Sequence, residues 1–247
     1  MPKPAPPIAP AGKHEEEILR LLQGHRFLSR LPREELHALI RQASVLTFAE
    51  REMVFAQGDA GGTVMVVVEG YVKLSSSTFG GREVVLEVAG PGAVFGEVAV
   101  LNDWTRAADA AALSACRLLT IDGKQFIRTL TRAPEAMFEI IRLLSERLRS
   151  TTEQMTDGLD LPAPARLAKA LMHLAALHSH PVKEGLRIDF QLSQRELGGM
   201  TGLTRESINK HLAAWRDSGW VRLSDRYVTV LNPQRLQDLL RDHSLEG

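Results

Sequence analysis

Residues 193–210 read SQRELGGMTGLTRESINK, and they decide the architecture of the C-terminal third. Ser193 followed three residues later by Glu196 fits a capping box, in which the hydroxyl takes an orphan amide and the carboxylate reaches back. The helix so opened runs to about Met200, Thr201-Gly-Leu203 supplies a turn, and Thr204 caps a second helix reaching about Asp217. Helix, three-residue turn with glycine, helix is the helix-turn-helix spacing. In the second helix Ile208, Leu212 and Trp215 form an apolar stripe, while Arg205, Glu206, Ser207, Asn209 and Lys210 gather near its N-terminal end. A helix that enters the major groove does so by its first turns. Arginine forks onto guanine, glutamate accepts from cytosine and asparagine brackets adenine. Trp220 to Leu231 reads as a two-stranded wing turning at Asp225-Arg226. A solvated charged face would use the same residue types, but the caps, the turn and the wing together favour double-stranded DNA.

Upstream, Asp160-Leu-Pro-Ala-Pro164 breaks a long helical pattern, and a further helix is expected from Ala165 to about His178. Between Pro134 and Asp160 the apolar positions Met137, Ile141, Leu144, Leu148, Met155 and Leu159 follow steps of four and three. A heptad seam of this kind usually pairs with a second copy of itself. The seam position between Leu148 and Met155 is Thr151, with Thr152 beside it. Such hydroxyls either bond their own backbone and set register, or face a buried polar partner, and spacing alone leaves both readings open. His178-Ser-His180 is expected to be a solvated loop.

From Thr47 to about Leu119 the pattern is of short β runs punctuated by glycine: Val64–Val68, Tyr71–Ser75, Glu83–Val88 and Leu118–Ile121. Phe79-Gly-Gly-Arg is a hairpin signal, and the set suggests an antiparallel roll or barrel. A short helix over Glu15–Leu22 and another around Pro32–Ala43 precede it, behind a Pro/Ala-rich tail over 1–13. Within this region Phe95-Gly-Glu-Val-Ala-Val-Leu-Asn-Asp-Trp-Thr-Arg-Ala-Ala108 carries chemistry. A glycine frees backbone amides, a carboxylate follows at once, and Arg106 comes nine residues after Glu97. Arginine with exposed amides suits a phosphate, and a nearby carboxylate suits a ribose hydroxyl.

Composition excludes several classes. With 247 residues, 44% of them hydrophobic, the chain is long enough for two cores. Its longest apolar run is five residues, Val64–Val68, against about twenty for a membrane span, so no membrane association is expected. Five of the twelve prolines fall in the first ten residues, which does not read as a secretory signal. Cys116 is the single cysteine, so a cytoplasmic setting is expected, with no disulfide and no cysteine-ligated cluster. All eight histidines lie outside residues 38–172, which argues against a metal-dependent β-barrel enzyme. The thirty basic and thirty acidic side chains cancel, but residues 161–247 hold 12 basic against 9 acidic. No metal is expected, and no enzymatic activity.

The sequence FGEVAVL…RAA resembles the phosphate-binding cassette of cyclic-nucleotide-binding domains, and residues 20–231 resemble the cyclic-AMP-receptor branch of the CRP/FNR transcription regulators. The implied fold is α+β: an N-terminal antiparallel β-roll over 14–133, a dimerisation helix over 134–160, and a C-terminal winged helix-turn-helix over 161–247. The resemblance implies that Glu97 accepts from the 2′-hydroxyl of a cyclic nucleotide, while Arg106 and the backbone from Gly96 through Val98 and Ala99 hold its phosphate. Ala107 stands where the bacterial receptor has serine, as in the eukaryotic kinase version of the cassette. Arg147 is the implied second basic residue. Thr151 would touch the base from the same subunit and Thr152 across a homodimer, which decides the seam in favour of function. Ser193, Thr204 and Ser207 would accompany the Arg205–Glu206 pair on DNA. Lys210 replaces an arginine of the family and makes a point-charge contact instead of a fork. The oxygen-sensing branch needs an N-terminal cysteine cluster and the carbon-monoxide-sensing branch a histidine in the β domain, and neither is present. The resemblance thus implies a homodimer on a pseudo-palindromic DNA site, with RNA polymerase as a further partner. Its ligand is cyclic AMP, with cyclic GMP, or no ligand at all, as alternatives.

Overall fold

The computed structural model describes Leu19 and residues 27–241. The 1–13 tail and all of the expected Glu15–Leu22 helix but Leu19 lie outside the described residues. Two compact units separate: one holds residues up to Ser76 with Glu87–Leu148, the other Ser77–Leu86 with residues from Arg149 on. The division falls inside a single long helix, α4 below.

In the first unit, helix α1 (Arg33–Gln42) leads into strand β1 (Ser44–Phe48), β2 (Met53–Phe55) and β3 (Thr63–Glu69). Then come β4 (Val72–Ser77) and β5 (Glu83–Ala89), of which Ser77 and Glu83–Leu86 are counted with the second unit, then β6 (Val94–Phe95), the short helix α2 (Glu97–Asn102), β7 (Asp109–Ala112) and β8 (Cys116–Asp122). They form two four-stranded sheets, β1-β8-β3-β6 and β2-β7-β4-β5. β8 pairs antiparallel with both β1 and β3, as the roll expectation requires. The five-residue apolar run explains how the sheets share a core. Val64, Val66 and Val68 of β3 point into one hydrophobic cluster with Leu119 and Phe126. Met65 and Val67 point into another with Phe95 and Leu118. A strand buried on both faces reads as a continuous apolar run because successive side chains alternate between faces.

Helix α3 (Gly123–Arg132) is capped by Asp122, whose carboxylate accepts from Gln125 N, and is followed by α4 (Pro134–Asp160). Ala136 and Ile140 of α4 are buried and Leu144 packs on the same cluster. Met137, Ile141, Leu148, Met155 and Leu159 remain exposed, Leu148 and Met155 at 70% each. Five of the six apolar seam positions thus form an uncovered stripe of one chain, while Leu144 turns to the core. Among the described residues no helix is long and apolar enough to cross a membrane.

In the second unit, α5 (Ala163–Leu177) precedes a hairpin of β9 (Ser179–Val182) and β10 (Gly185–Ile188). Helices α6 (Gln194–Thr201) and α7 (Arg205–Asp217), strands β11 (Val221–Ser224) and β12 (Tyr227–Val230), and α8 (Pro233–Arg241) complete it. The wing is larger than expected. β10 joins β12, giving the order β11-β12-β10-β9, so the segment around His180 is an edge strand and not a solvated loop. Pro181 is tolerated there because an edge strand has one face free of ladder bonds. His180 Nδ1 lies 2.5 Å from Asp189 Oδ1.

Cys116 is buried on β8, and burial, with a contribution from Glu52, pushes its thiol up to about 11. Because folding raises this pKa, its share of stability is intact below the usual thiol range and is lost as pH climbs toward about 11. At pH 8 the native chain is expected to leave a disulfide-exchange chromophore unreacted and to titrate one thiol per chain after unfolding in urea.

Candidate functional site

The cassette begins where β6 meets α2. Gly96 caps α2 with φ +82°, in the left-handed region that favours glycine. A Cβ there would lie 2.4 Å from Arg106 Nη1, so only glycine admits the arginine so close. At Gly61 a Cβ would lie 2.3 Å from both Ala99 Cβ and the Trp104 carbonyl, so the cassette packs directly on bare backbone.

Arg106 is 4% exposed and held on several sides. Its Nη1 donates to Thr63 O at 2.8 Å and Gly96 O at 3.2 Å, and Nη2 donates to Thr63 Oγ1 at 2.8 Å. The guanidinium carbon lies 4.2 Å from the centroid of the Phe55 ring. Burial pulls its pKa below the ordinary arginine value, while Asp59 and Glu97 oppose that fall. Among the described residues Arg106 Nε, itself buried, has no partner.

Glu97 has no exposed surface. Its Oε1 accepts from Arg147 Nη1 at 2.5 Å. Arg147, from α4, also donates to Glu87 Oε2 at 2.6 Å and to Val94 O at 2.7 Å. Burial alone would lower the Arg147 pKa, but Glu97 and Glu87 outweigh it and raise the value. Glu97 Oε2 is buried and has no partner among the described residues. The cassette therefore presents one orphan carboxylate acceptor and one orphan guanidinium donor.

The other cassette residues frame this pair. Val98 is half-buried, Ala99 buried and Ala107 exposed, and no side chain caps α2. Thr151 and Thr152 are exposed on α4. Sequence reasoning missed Thr63, Phe55 and Glu87. Glu87 interrupts an otherwise apolar strand run, a signal that a cation faces it. Thr63 and Phe55 carry no local signal. Among the described residues no group of three or more His, Cys, Asp or Glu could hold a metal ion.

The helix-turn-helix forms as its caps dictate. Ser193 Oγ accepts from Glu196 N at 3.2 Å and Ser193 N donates to Glu196 Oε2 at 2.6 Å, closing the capping box. Gly202 ends α6 at φ +69°, and Thr204 Oγ1 accepts from Ser207 N at 3.3 Å. Ser193 and Thr204 thus spend these hydroxyls on helix ends. Ile208, Leu212 and Trp215 are buried, and Trp215 stacks on Trp220 with centroids 6.3 Å apart. Arg205, Glu206, Asn209 and Lys210 are exposed together on the opposite face, with Ser207 half-buried. Arg205 Nε donates to Gln194 Oε1 at 2.6 Å and Gln194 Nε2 donates to Asn209 Oδ1. Gln194, on α6, was not singled out from the sequence. The wing turns at Asp225 and Arg226, both with positive φ, as in a two-residue primed turn.

Comparison with known proteins finds two family models that match the chain. Residues 45–133 match the cyclic nucleotide-binding domain family and residues 165–239 match the Crp-like helix-turn-helix domain family. The chain is 30% identical to a CRP-like cAMP-activated global transcriptional regulator of Mycobacterium tuberculosis, over 81% of this chain and 89% of that protein. It is 28% identical to the cyclic AMP receptor protein of Thermus thermophilus, over 88% and 98% respectively. Among solved structures, FixK2 of Bradyrhizobium japonicum shares the fold at TM-score 0.71 and 20% identity, covering 80% of this chain and 96% of that one.

Arg147→Leu would leave the Glu97 carboxylate buried with neither oxygen partnered. The expected loss is about 3–5 kcal/mol, read as a lower urea midpoint, and adding Glu97→Gln should return part of it by removing the stranded charge.

Proposed function

The chain belongs to the CRP/FNR family of transcription regulators, and on that premise we propose that it is a cyclic-AMP-activated homodimer that grips a pseudo-palindromic DNA site. The family carries the coarser statement: a cyclic-nucleotide-responsive, DNA-binding transcription regulator, not an enzyme.

The observation that carries the ligand reading is the orphan pair in the cassette. Buried polar atoms without partners are rare and call for an explanation. Glu97 Oε2 lacks a donor and Arg106 Nε lacks an acceptor. A cyclic nucleotide offers a ribose hydroxyl to the first and an anionic phosphate to the second. Gly96 and the first amides of α2, at Val98 and Ala99, complete the phosphate side. Thr151 and Thr152 are the proposed base contacts, one from each subunit.

For the base, threonine hydroxyls serve adenine and guanine alike. Cyclic-GMP-selective eukaryotic domains place a threonine right after the cassette arginine, and here that residue is Ala107, which offers guanine nothing. The relatives named for cyclic AMP lean the same way. The exposed seam Met137, Ile141, Leu148, Met155 and Leu159 supports the homodimer, because an apolar heptad stripe has no reason to face water. In the dimer, residues 14–133 sense, 134–160 pair, and 161–247 read DNA, in the cytoplasm and with RNA polymerase as the further partner. Nucleotide acts by binding one arrangement of the reading heads better than the other, which shifts the population toward it.

Calorimetric titration tests the ligand. Wild type should bind cyclic AMP more tightly than cyclic GMP, Ala107→Thr should narrow the gap, and Glu97→Gln should weaken cyclic AMP by about 1.5–3 kcal/mol, the value of a hydrogen bond to a charged group. A wild type that prefers cyclic GMP overturns the choice of nucleotide. On DNA, Arg205→Ala should cost about 1–3 kcal/mol on a selected duplex and little on random duplex, measured by fluorescence anisotropy.

A further inference from the structure

The residues of the reading helix are not equally free. Arg205 and Asn209 are both tied to Gln194, which is half-buried at the first position of α6, the other helix of the pair. Glu206 and Lys210, on the same exposed face, make no hydrogen bond or ion pair among the described residues. One side chain therefore spans the helix-turn-helix and restrains two of the four readers. We propose that Gln194 is a specificity-determining positioning residue, which aims Arg205 and Asn209 at base edges without touching a base itself. The inference rests on the reading of α7 as the base-reading helix.

Donor accounting shows why this clamp helps. Arginine carries five N–H donors, and Gln194 takes only the one on Nε. Both Nη groups stay free, and they form the fork that spans guanine O6 and N7. Asn209 Oδ1 has two lone pairs, so accepting from Gln194 leaves one for the adenine amino group. The bond also settles which way the Asn209 amide faces, and adenine recognition needs acceptor and donor in one order. Holding a long side chain in one rotamer costs conformational entropy. Holding it in the free protein moves that cost away from the binding step. Gln194→Ala leaves the Ser193–Glu196 capping box untouched, so the helix that carries the clamp should persist in the variant.

The test uses the full chain with cyclic AMP and duplexes selected from a random pool, comparing wild type, Gln194→Ala, Gln194→Glu, Arg205→Ala and the Gln194→Ala/Arg205→Ala pair. Gln194→Ala is expected to lower affinity for the wild-type duplex about tenfold, with affinity for random duplex and the salt slope unchanged. Base preference should flatten at the two positions read by Arg205 and Asn209 and hold at those read by Glu206 and Lys210. Gln194→Glu keeps an acceptor for Arg205 and loses the donor to Asn209, so it should relax the Asn209 position alone. The double variant should fall short of the sum of its singles. Equal losses on selected and random duplex with a shallower salt slope would make Gln194 a phosphate contact and overturn the role, as would full additivity or an unchanged base preference. A wild type that selects no sequence at all overturns the DNA-reading assignment itself, an outcome distinct from a wild type whose selected sequence Gln194→Ala still prefers.

Discussion

A carboxylate with no exposed surface has to be neutralised where it stands, and the first unit is arranged around that requirement at Glu97. Left alone, a buried charge is among the most expensive things a fold can contain. The neutralising group comes from far along the chain, since Arg147 lies fifty residues away on α4. The same guanidinium also takes Glu87 from β5 and the Val94 carbonyl from β6. Three anchors on one planar cation leave α4 little freedom of register against the cassette. The ion pair need not add net stability to matter; its geometry ties the start of α2 to the long helix.

The second cassette cation is held by different means. Arg106 lies against Gly96, where a Cβ would collide with it, over the Phe55 ring, and bonded to Thr63. Glycine, aromatic face and threonine together fix the side chain before any ligand arrives. Pre-placement of this kind lowers the ordering cost that binding would otherwise carry. The reading head repeats the device on a smaller scale, with a neutral amide in place of a carboxylate: Gln194 restrains Arg205 and Asn209 on the neighbouring helix. In both places the side chain proposed to contact a ligand is held by neighbours elsewhere in the chain.

Much of the architecture is legible from local signals. The capping box at Ser193, the glycine at 202 and the Thr204 cap each act within four residues, and the helices form where they indicate. The Val64–Val68 run, the glycine hairpin and the heptad positions of α4 are likewise short-range patterns. What escaped has no such pattern. β7 is Asp109-Ala-Ala-Ala112, without a β-branched or aromatic residue, and is a strand because β2 and β4 flank it. α3 starts at Gly123 and carries two threonines, a weak helix former placed by its Asp122 cap and by packing of Phe126 and Leu130. β9 holds Pro181, which reads as loop until the sheet order puts it at an edge.

The cassette divides in the same way. Gly96, Glu97 and Arg106 are recognisable because glycine, carboxylate and arginine fall within eleven consecutive residues, and a phosphate and a hydroxyl call for those types. Thr63, Phe55, Glu87 and Gln194 were not, since each acts on a residue between eleven and sixty positions away. The sequence by itself determined the order of elements, the caps, the apolar faces and which groups are candidates for ligand contact, because these depend on neighbours within a turn or a pleat. Only the tertiary structure decided which oxygen of Glu97 is taken by Arg147 and which is left bare, and that Gln194 and not solvent holds Arg205. Those outcomes depend on distances between segments that no local spacing encodes.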